Sequence, residues 1–337
     1  VILLIVFAYL NDKLLNMFTK NSEVLMRSGL VLFIVAFACF CRADKDVRVE
    51  TIAVKPESGF RMDGYFVWGG SAIKVNDTYH LFASRWPDHT EFPRGYRRHS
   101  EIVRATSKAP RGPYDFQQVV IDERAPGYWD SDMAHNPTIH RFGDEYILFY
   151  IGSDKDSVLR QIGYAVAKEI TGPWQRSATP LEFGQDANNP AVLFEPDGSV
   201  KMMWRTRNLQ VKIATAPHYS GPYAIVNENV WPEARLEDFY LWKQDGRVHM
   251  VCEDNRGEVS GHERWGVRFV SKDGISGWHP LDAPVMYDHT IKFTDGSELH
   301  CERRERPQLL LKNNIPTHLF TSVLYNGTTW CQVVPLR

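Results

Sequence analysis

Acidic, amide and imidazole side chains stand at the heads of several apolar runs in this chain, where a half-buried strand ordinarily starts with something bland. The clearest case is Leu236-Glu237-Asp238-Phe239-Tyr240-Leu241-Trp242, followed by Lys243-Gln244-Asp245-Gly246 and the alternating run Arg247-Val248-His249-Met250. His135-Asn136, Asn188-Asn189 and Glu305-Arg306 head comparable runs, and Asp63 or Ser71 heads the first. Carboxyl and imidazole groups can give and take protons near neutral pH, provided burial or a like charge keeps one carboxyl protonated. Asp238 cannot be assumed to supply that charge to Glu237, because neighbouring strand residues point to opposite faces. Each opening alone is weak; together they make a site if the fold aims them at one point.

The elements that would do so are hairpins. Asp-Gly between two apolar runs is a strong hairpin signal. The unit recurs through Asn76-Asp77 into Tyr79-His80-Leu81-Phe82, and through Gly143-Asp144 into Tyr146-Ile147-Leu148-Phe149. It recurs again through Asp197-Gly198 into Val200-Lys201-Met202-Met203-Trp204, and through Asn313-Asn314 into Thr317-His318-Leu319-Phe320. With the first example, that makes five units. A second marker, a short apolar run before Gly112-Pro113-Tyr114, Gly172-Pro173-Trp174, Gly221-Pro222-Tyr223 and Gly277-Trp278, follows four of them at spacings of 60, 49 and 56 residues. A period of roughly 50 with several strands per unit is the signature of a propeller. The fold expected is therefore all-β, a five-bladed β-propeller, with the Gly-Pro-aromatic turns packing between neighbouring blades. The innermost strands of a propeller line its channel, so the five openings converge at one end of the axis.

The first 43 residues read differently. Met26-Arg27-Ser28 opens a pattern of a basic residue, an apolar core from Gly29 to Ala38, and a small residue at Ala43. This is the layout of a secretory signal starting at Met26, too short for a membrane span. Residues 1–43 are thus read as an upstream segment plus signal peptide, and 44–337 as one secreted or periplasmic domain, with Cys39 or Cys41 as an alternative lipid-anchor point. A formal charge of −2 lets neither sign dominate, which argues against a nucleic-acid surface. Cys252, Cys301 and Cys331 show no C-x-x-C spacing, so neither a zinc site nor a disulfide framework is indicated, though one pair could bridge. Trp68, Trp86 and Trp129 lie beside polar loop residues, where an indole can stack on a sugar ring. Arg85 beside Trp86 offers a guanidinium to sugar hydroxyls or a uronate. Residues 94–99 and 282–303 are polar insertions of the kind that rim a site.

The stretch Glu237 to Gly246 resembles the fourth-blade opening of family 43 glycoside hydrolases and their relatives, and the Gly-Pro-Trp/Tyr turns extend the similarity over all five units. The resemblance implies a propeller glycosidase acting on plant- or algal-type poly- or oligosaccharides by carboxylate chemistry at the axis. It implies no required cofactor, and leaves open a structural divalent cation on the axis. It puts the acid on Glu237. The family's first-blade Asp-Pro stands here as Gly70-Ser71, which leaves Asp63 as the nearest carboxylate and the expected base. The third-blade Asp-Pro stands as Asn189-Pro190, so the carboxylate that tunes the acid is missing from its place, and Asp132 is its expected substitute. These departures point to a divergent relative near family 117, where a histidine can share the acid role, and His135 is then a rival to Glu237. Arg85, Trp86, Asn136, Asn189, Arg205, Asp238, Glu305 and Arg306 are expected to contact substrate. Two alternatives are a glycoside phosphorylase or transferase, with phosphate held by Arg85, Arg205, Arg303 or Arg306, and a carbohydrate-binding propeller without turnover.

Overall fold

Twenty-one strands and one short helix make up the computed structural model, which describes residues 50–154, 159–183 and 186–337. The signal read at Met26, with Cys39 and Cys41, lies outside the described residues. Among the described residues no helix is long and apolar enough to cross a membrane.

The strands form five blades. Blade one holds β1 (Tyr65–Val75), β2 (Thr78–Pro87), β3 (Glu101–Ser107) and β4 (Asp115–Ile121), in that spatial order. Blade two holds β5 (Met133–Phe142), β6 (Glu145–Ser153), β7 (Gln161–Ala167) and β8 (Gln175–Arg176). Blade three holds β9 (Asn188–Phe194), β10 (Val200–Arg205), β11 (Val211–Ala216) and β12 (Ala224–Asn227). Blade four holds β13 (Leu236–Gln244), β14 (Arg247–Asp254), β15 (Trp265–Ser271) and β16 (His279–Tyr287). A hairpin of β17 (Thr290–Lys292) and β18 (Glu298–His300) leads to blade five, where β19 (Arg303–Lys312), β20 (Ile315–Tyr325) and β21 (Thr328–Pro335) make a three-stranded sheet. The helix α1 (Tyr96–His99) sits in the loop between β2 and β3. The predicted hairpin turns Asp245-Gly246 and Asn313-Asn314 have both residues at positive φ, the backbone that a two-residue hairpin requires, and Asn326-Gly327, which joins β20 to β21, adopts it as well.

Strand periodicity explains how the blades stack. Successive residues of each second strand face opposite neighbours. Leu81 packs with Phe320 and Val333 of blade five, whereas Phe82 packs with Leu148 and Tyr150 of blade two. Ile147 and Phe149 turn instead to Met202 and Trp204 of blade three. Met203 meets Phe239 and Met250 of blade four, and Val251 meets Leu309 and Leu319 of blade five. Five apolar clusters therefore lie in the five inter-blade seams, and a polar residue at any of these positions would disrupt one seam. The marker aromatics fill the outer ends: Tyr114 lies 6.4 Å from Phe320, Trp174 5.5 Å from Phe82, and Trp278 joins the seam between blades three and four. Cys252, Cys301 and Cys331 are buried and unbridged.

The ring closes at blade five. Residues 50–60 run beside β21, pairing Thr51 with Leu336 and Phe60 with Cys331. Phe60 and Cys331 exchange N–H···O bonds of 2.9 and 3.0 Å. Gly59, at φ +99°, makes this approach possible, because a Cβ there would fall 2.0 Å from the Cys331 carbonyl oxygen. Gly59→Ala is expected to cost about 3 kcal/mol from strain and overlap, read as a lower midpoint in chemical denaturation; an unchanged midpoint would show that the closure yields freely.

Candidate active site

Each innermost strand is interrupted by a bulge near its start, and this common irregularity builds the site. The register shifts after Trp68 in β1, His135 in β5, Glu237 in β13 and Glu305 in β19, and opposite Asn188 in β9. The next residue in every case, Gly69, Asn136, Asn189, Asp238 or Arg306, has positive φ between 52 and 66°. Bulges re-aim side chains. Here they sort them into two tiers, one belonging to the cavity wall and one to the axis.

The axial tier is a ring of contacts. Asn136 Nδ2 donates to Asn189 Oδ1 at 2.8 Å, and Asn189 Nδ2 donates to Asp238 Oδ1 at 2.6 Å. Arg306 Nη1 lies 3.6 Å from Asp238 Oδ1, and its Nη2 donates to the Asn136 carbonyl at 3.1 Å. Gly69 completes the circle by having no side chain, since a Cβ would stand 2.7 Å from Asn136 Oδ1. Two of the bulge N–H groups bond to hydroxyls of the preceding blade, Gly69 to Ser322 and Asn136 to Ser84.

Above the ring lies a cavity of about 450 Å³, and all five residues before the bulges, Trp68, His135, Asn188, Glu237 and Glu305, line it. Trp86, Phe92 and Tyr96 add an aromatic wall; Trp86 stacks on Phe92 at 6.0 Å and Tyr96 on His135 at 4.4 Å. Phe92, Pro93, Tyr96 and Arg97 come from the loop around α1, so the 94–99 insertion does reach the rim.

The carboxyls differ in their surroundings. Glu237 accepts from donors at both oxygens. Arg205 Nε binds Oε1 at 2.7 Å with Nη2 also in contact, Asn189 Nδ2 reaches Oε1 at 3.2 Å, and Asn255 Nδ2 reaches Oε2 at 3.1 Å. Asp238 is buried, and desolvation pushes it up to about 7; Arg306 opposes the rise, while Glu237 and Glu305 add to it. Glu253 of β14 is fully buried, its Oε2 has no hydrogen-bond partner, and burial with Glu305, Asp238 and Glu237 around it holds it well above the usual carboxylate range. Burial also raises Glu305, against the pull of Arg264 and Arg303. Like charges this close do not all ionise together, so the group keeps protons near neutral pH.

His135 is buried, and desolvation, Arg306 and Arg160 all push its pKa well below the usual imidazole range, leaving it neutral. Ser100 Oγ donates to the Ala134 carbonyl at 2.9 Å, so the 2.9 Å contact between Ser100 Oγ and His135 Nδ1 takes its proton from the ring. Nε2 is then the acceptor nitrogen.

Asp238, Glu253 and Glu305 also have ligand atoms within 4.8 Å of one another, the grouping among the described residues most like a cation site. It fits a metal poorly. Arg264 Nη1 already bridges Glu253 at 3.0 Å and Glu305 at 2.8 Å, and Arg306 stands beside Asp238. Guanidinium groups hold the positive charge that a divalent ion would bring.

The structure brings Glu237, Asp238, His135, Asn136, Asn189, Arg205, Glu305 and Trp86 to this cavity. It does not bring Asp63, which is exposed in the turn before β1. The first-blade opening is Trp68-Gly69, two residues before the expected Ser71, and it carries no carboxylate. Asp132 lines a separate surface pocket with Glu101, Asp122 and Asp130. Arg85 is held outside the cavity by Glu101 at 2.7 Å and by the Tyr65 ring at 4.2 Å. Arg306 is fully buried in the axial tier and so acts on the carboxyls rather than on a ligand. Trp129 stacks in the core on Tyr150 at 5.2 Å. Glu253, Asn255 and Arg264 carry no opening pattern, because they lie at the far end of β14 and in the loop beyond it; their signal is the charge run Glu253-Asp254-Asn255-Arg256 itself.

The architecture is that of the five-bladed propeller glycoside hydrolases. A family 117 glycoside hydrolase from the marine bacterium Zobellia galactanivorans superposes with a TM-score of 0.61 at 14% identity, over 86% of this chain and 89% of that one. A family 43 β-xylosidase/α-arabinofuranosidase from a compost microbial metagenome, in complex with xylotriose, gives 0.62 at 12% identity over 86% and 95%. An α-L-arabinofuranosidase from Podospora anserina, in complex with cellotriose, gives 0.62 at 13% identity over 86% and 96%. No family model matches the sequence, and no curated protein does.

Proposed function

We propose that the chain is a glycoside hydrolase working at the axial cavity, with Asp238 as proton donor and Glu237 as the ionised carboxylate. The observation that carries this reading is the contrast between two adjacent carboxyls at one cavity. Desolvation holds Asp238 up to about 7, while Glu237 receives a guanidinium and two carboxamide N–H groups. Carboxyls whose environments differ in this way divide into acid and base or nucleophile. The acid role expected for Glu237 thus passes to Asp238, and the base expected at Asp63 has no place in the cavity.

Asp238 protonates the glycosidic oxygen as its bond to the anomeric carbon breaks. Glu237 then bonds to that carbon, and water activated by the Asp238 carboxylate displaces it. Glu237 Oε1 and Asp238 Oδ1 share one Asn189 nitrogen at 3.2 and 2.6 Å, so these two oxygens are no farther apart than the sum of those distances, short of the about 6.5–9.5 Å that an inverting pair leaves for water, and this supports retention of the anomeric configuration. Neutral His135 accepts from a sugar hydroxyl through Nε2. The closed axial floor and aromatic wall suit the end of a plant- or algal-type oligosaccharide rather than the middle of a polymer.

The test is a glycan panel read by product mass with and without phosphate, with the released anomer followed by NMR. Retention without a phosphate requirement is expected. Inverted product would remove Glu237 as nucleophile, a phosphate requirement would make the enzyme a phosphorylase, and binding without product would make it a lectin-like propeller. The pH profile is a further check. The active form holds the Asp238 proton, so kcat/KM should fall as pH rises through about 7, the alkaline limb of a profile whose acid side reports protonation of the other carboxylate. An alkaline limb more than two units away would place the proton elsewhere.

A further inference from the structure

The cavity holds more positive charge than its carboxylates use. Six arginines line it: Arg97, Arg160, Arg205, Arg207, Arg264 and Arg303. Three are engaged by carboxylates, Arg205 by Glu237, Arg264 by Glu253 and Glu305, and Arg303 by Glu305 at 3.6 Å. Arg97, Arg160 and Arg207 make no ion pair among the described residues. Arg160 is the best placed. It is half-buried, its Nη2 donates to Tyr96 Oη at 2.7 Å, and its guanidinium carbon lies 5.7 Å from the Tyr96 ring centre. Its backbone N–H, not its guanidinium, meets Asp186. Arg97 flanks the same ring at 6.0 Å. Tyr96 in turn stacks on His135, so this charge sits against the wall of the proposed reaction site.

Among the described residues this half-buried guanidinium meets only a phenol, which leaves N–H donors free for a ligand. Its planar fork matches an oxyanion, and Arg is the side chain best suited to bind one bidentately. We propose that the sugar bound here carries an anionic group, a uronic acid carboxylate or an ester sulfate, gripped by Arg160 with Arg97 and Arg207 beside it. This rests on the hydrolase reading for its location only, since the binding it describes needs no turnover.

Sulfur-linked disaccharides resist hydrolysis and let the intact wild-type protein be titrated by calorimetry. Three probes differ only at the non-reducing sugar: a uronic acid, an ester-sulfated sugar and the neutral parent. One of the two acidic probes should bind ~10- to 100-fold more tightly than the neutral one, the span of a hydrogen bond to a charged group, and which of them does so names the anion. Arg160→Gln should bring that affinity down to the neutral level. Arg207→Gln, at an exposed position that tolerates change, should lower it several-fold. Equal affinity for all three probes, or an Arg160→Gln protein that still prefers the acidic one, overturns the proposal. Phosphate-dependent turnover of a neutral sugar, lost in Arg160→Gln, would also overturn it, by assigning the arginine to a phosphate co-substrate. A clear acidic preference in a protein that cleaves none of the oxygen-linked counterparts would sustain the proposal and sink the hydrolase reading.

Discussion

Glu237→Gln should lower kcat/KM by at least about a thousandfold on the substrate that the glycan panel identifies, since losing a nucleophile costs more than losing an acid–base group alone. The exchange keeps the side-chain length and one acceptor oxygen. It removes the charge to which Arg205, Asn189 and Asn255 all donate, and leaves the Arg205 guanidinium without its carboxylate. Because the nucleophile itself is gone, kcat should carry the loss, and the denaturation midpoint should move little for a side chain that is 16% exposed. Glu237→Asp, which keeps the charge and withdraws it by one methylene, should recover only part of the rate. Turnover within a few-fold of wild type in Glu237→Gln would mean that the chemistry lies elsewhere.

The largest expected effect on stability belongs to Arg306. Its side chain is fully buried in the axial tier and touches blades two and four from blade five. Arg306→Met keeps most of the volume and removes the charge. At about pH 8, above the value near 7 to which burial raises Asp238, the ionised Asp238 then faces Glu237, Glu305 and Glu253 without the Arg306 cation, and a broken buried pair typically costs about 3–5 kcal/mol. The double variant Arg306→Met, Asp238→Asn should regain much of that loss, since the two side chains share one contact and their effects will not add. Denaturant midpoints of the four proteins in this cycle decide it. A single variant that loses less than about 1 kcal/mol, or a double variant that is simply additive, would show that the axis does not depend on this pair.

The blade architecture was legible because it rests on local chemistry that repeats. Turn pairs such as Asp245-Gly246 and Asn313-Asn314 force positive φ, and a Gly-aromatic marker, with an intervening proline in three cases, follows four of the units, so five hairpin units could be counted directly. Four of the five strand openings were also found, because His135-Asn136, Asn188-Asn189, Glu237-Asp238 and Glu305-Arg306 are polar. The fifth was misplaced for the same reason. Trp68-Gly69 opens blade one without a polar side chain, and the polar residues on either side of it, Asp63 and Ser71, carry the stronger sequence signal. The division of each opening into a wall residue and an axial residue was not legible, because it follows from a bulge, and an extra residue in a strand leaves no periodic trace. Alternation alone would have set Glu237 and Asp238 on opposite faces; the bulge instead gives both a place at the cavity. Arg306 looked like a ligand contact because the sequence does not reveal which of two neighbouring residues turns to the axis.

The clasp between residues 50–60 and β21 has a consequence for how the molecule comes into being. The partners Phe60 and Cys331 stand at nearly opposite ends of the described chain. A polypeptide emerging from a ribosome or a translocation pore can assemble its first four blades in succession, but the hoop stays open until the final strand arrives. Such distant pairing is slow to form. Asp238 meets Arg306 and Glu305 only once blade five has been delivered, so the axial tier is completed in one step by that blade rather than by degrees.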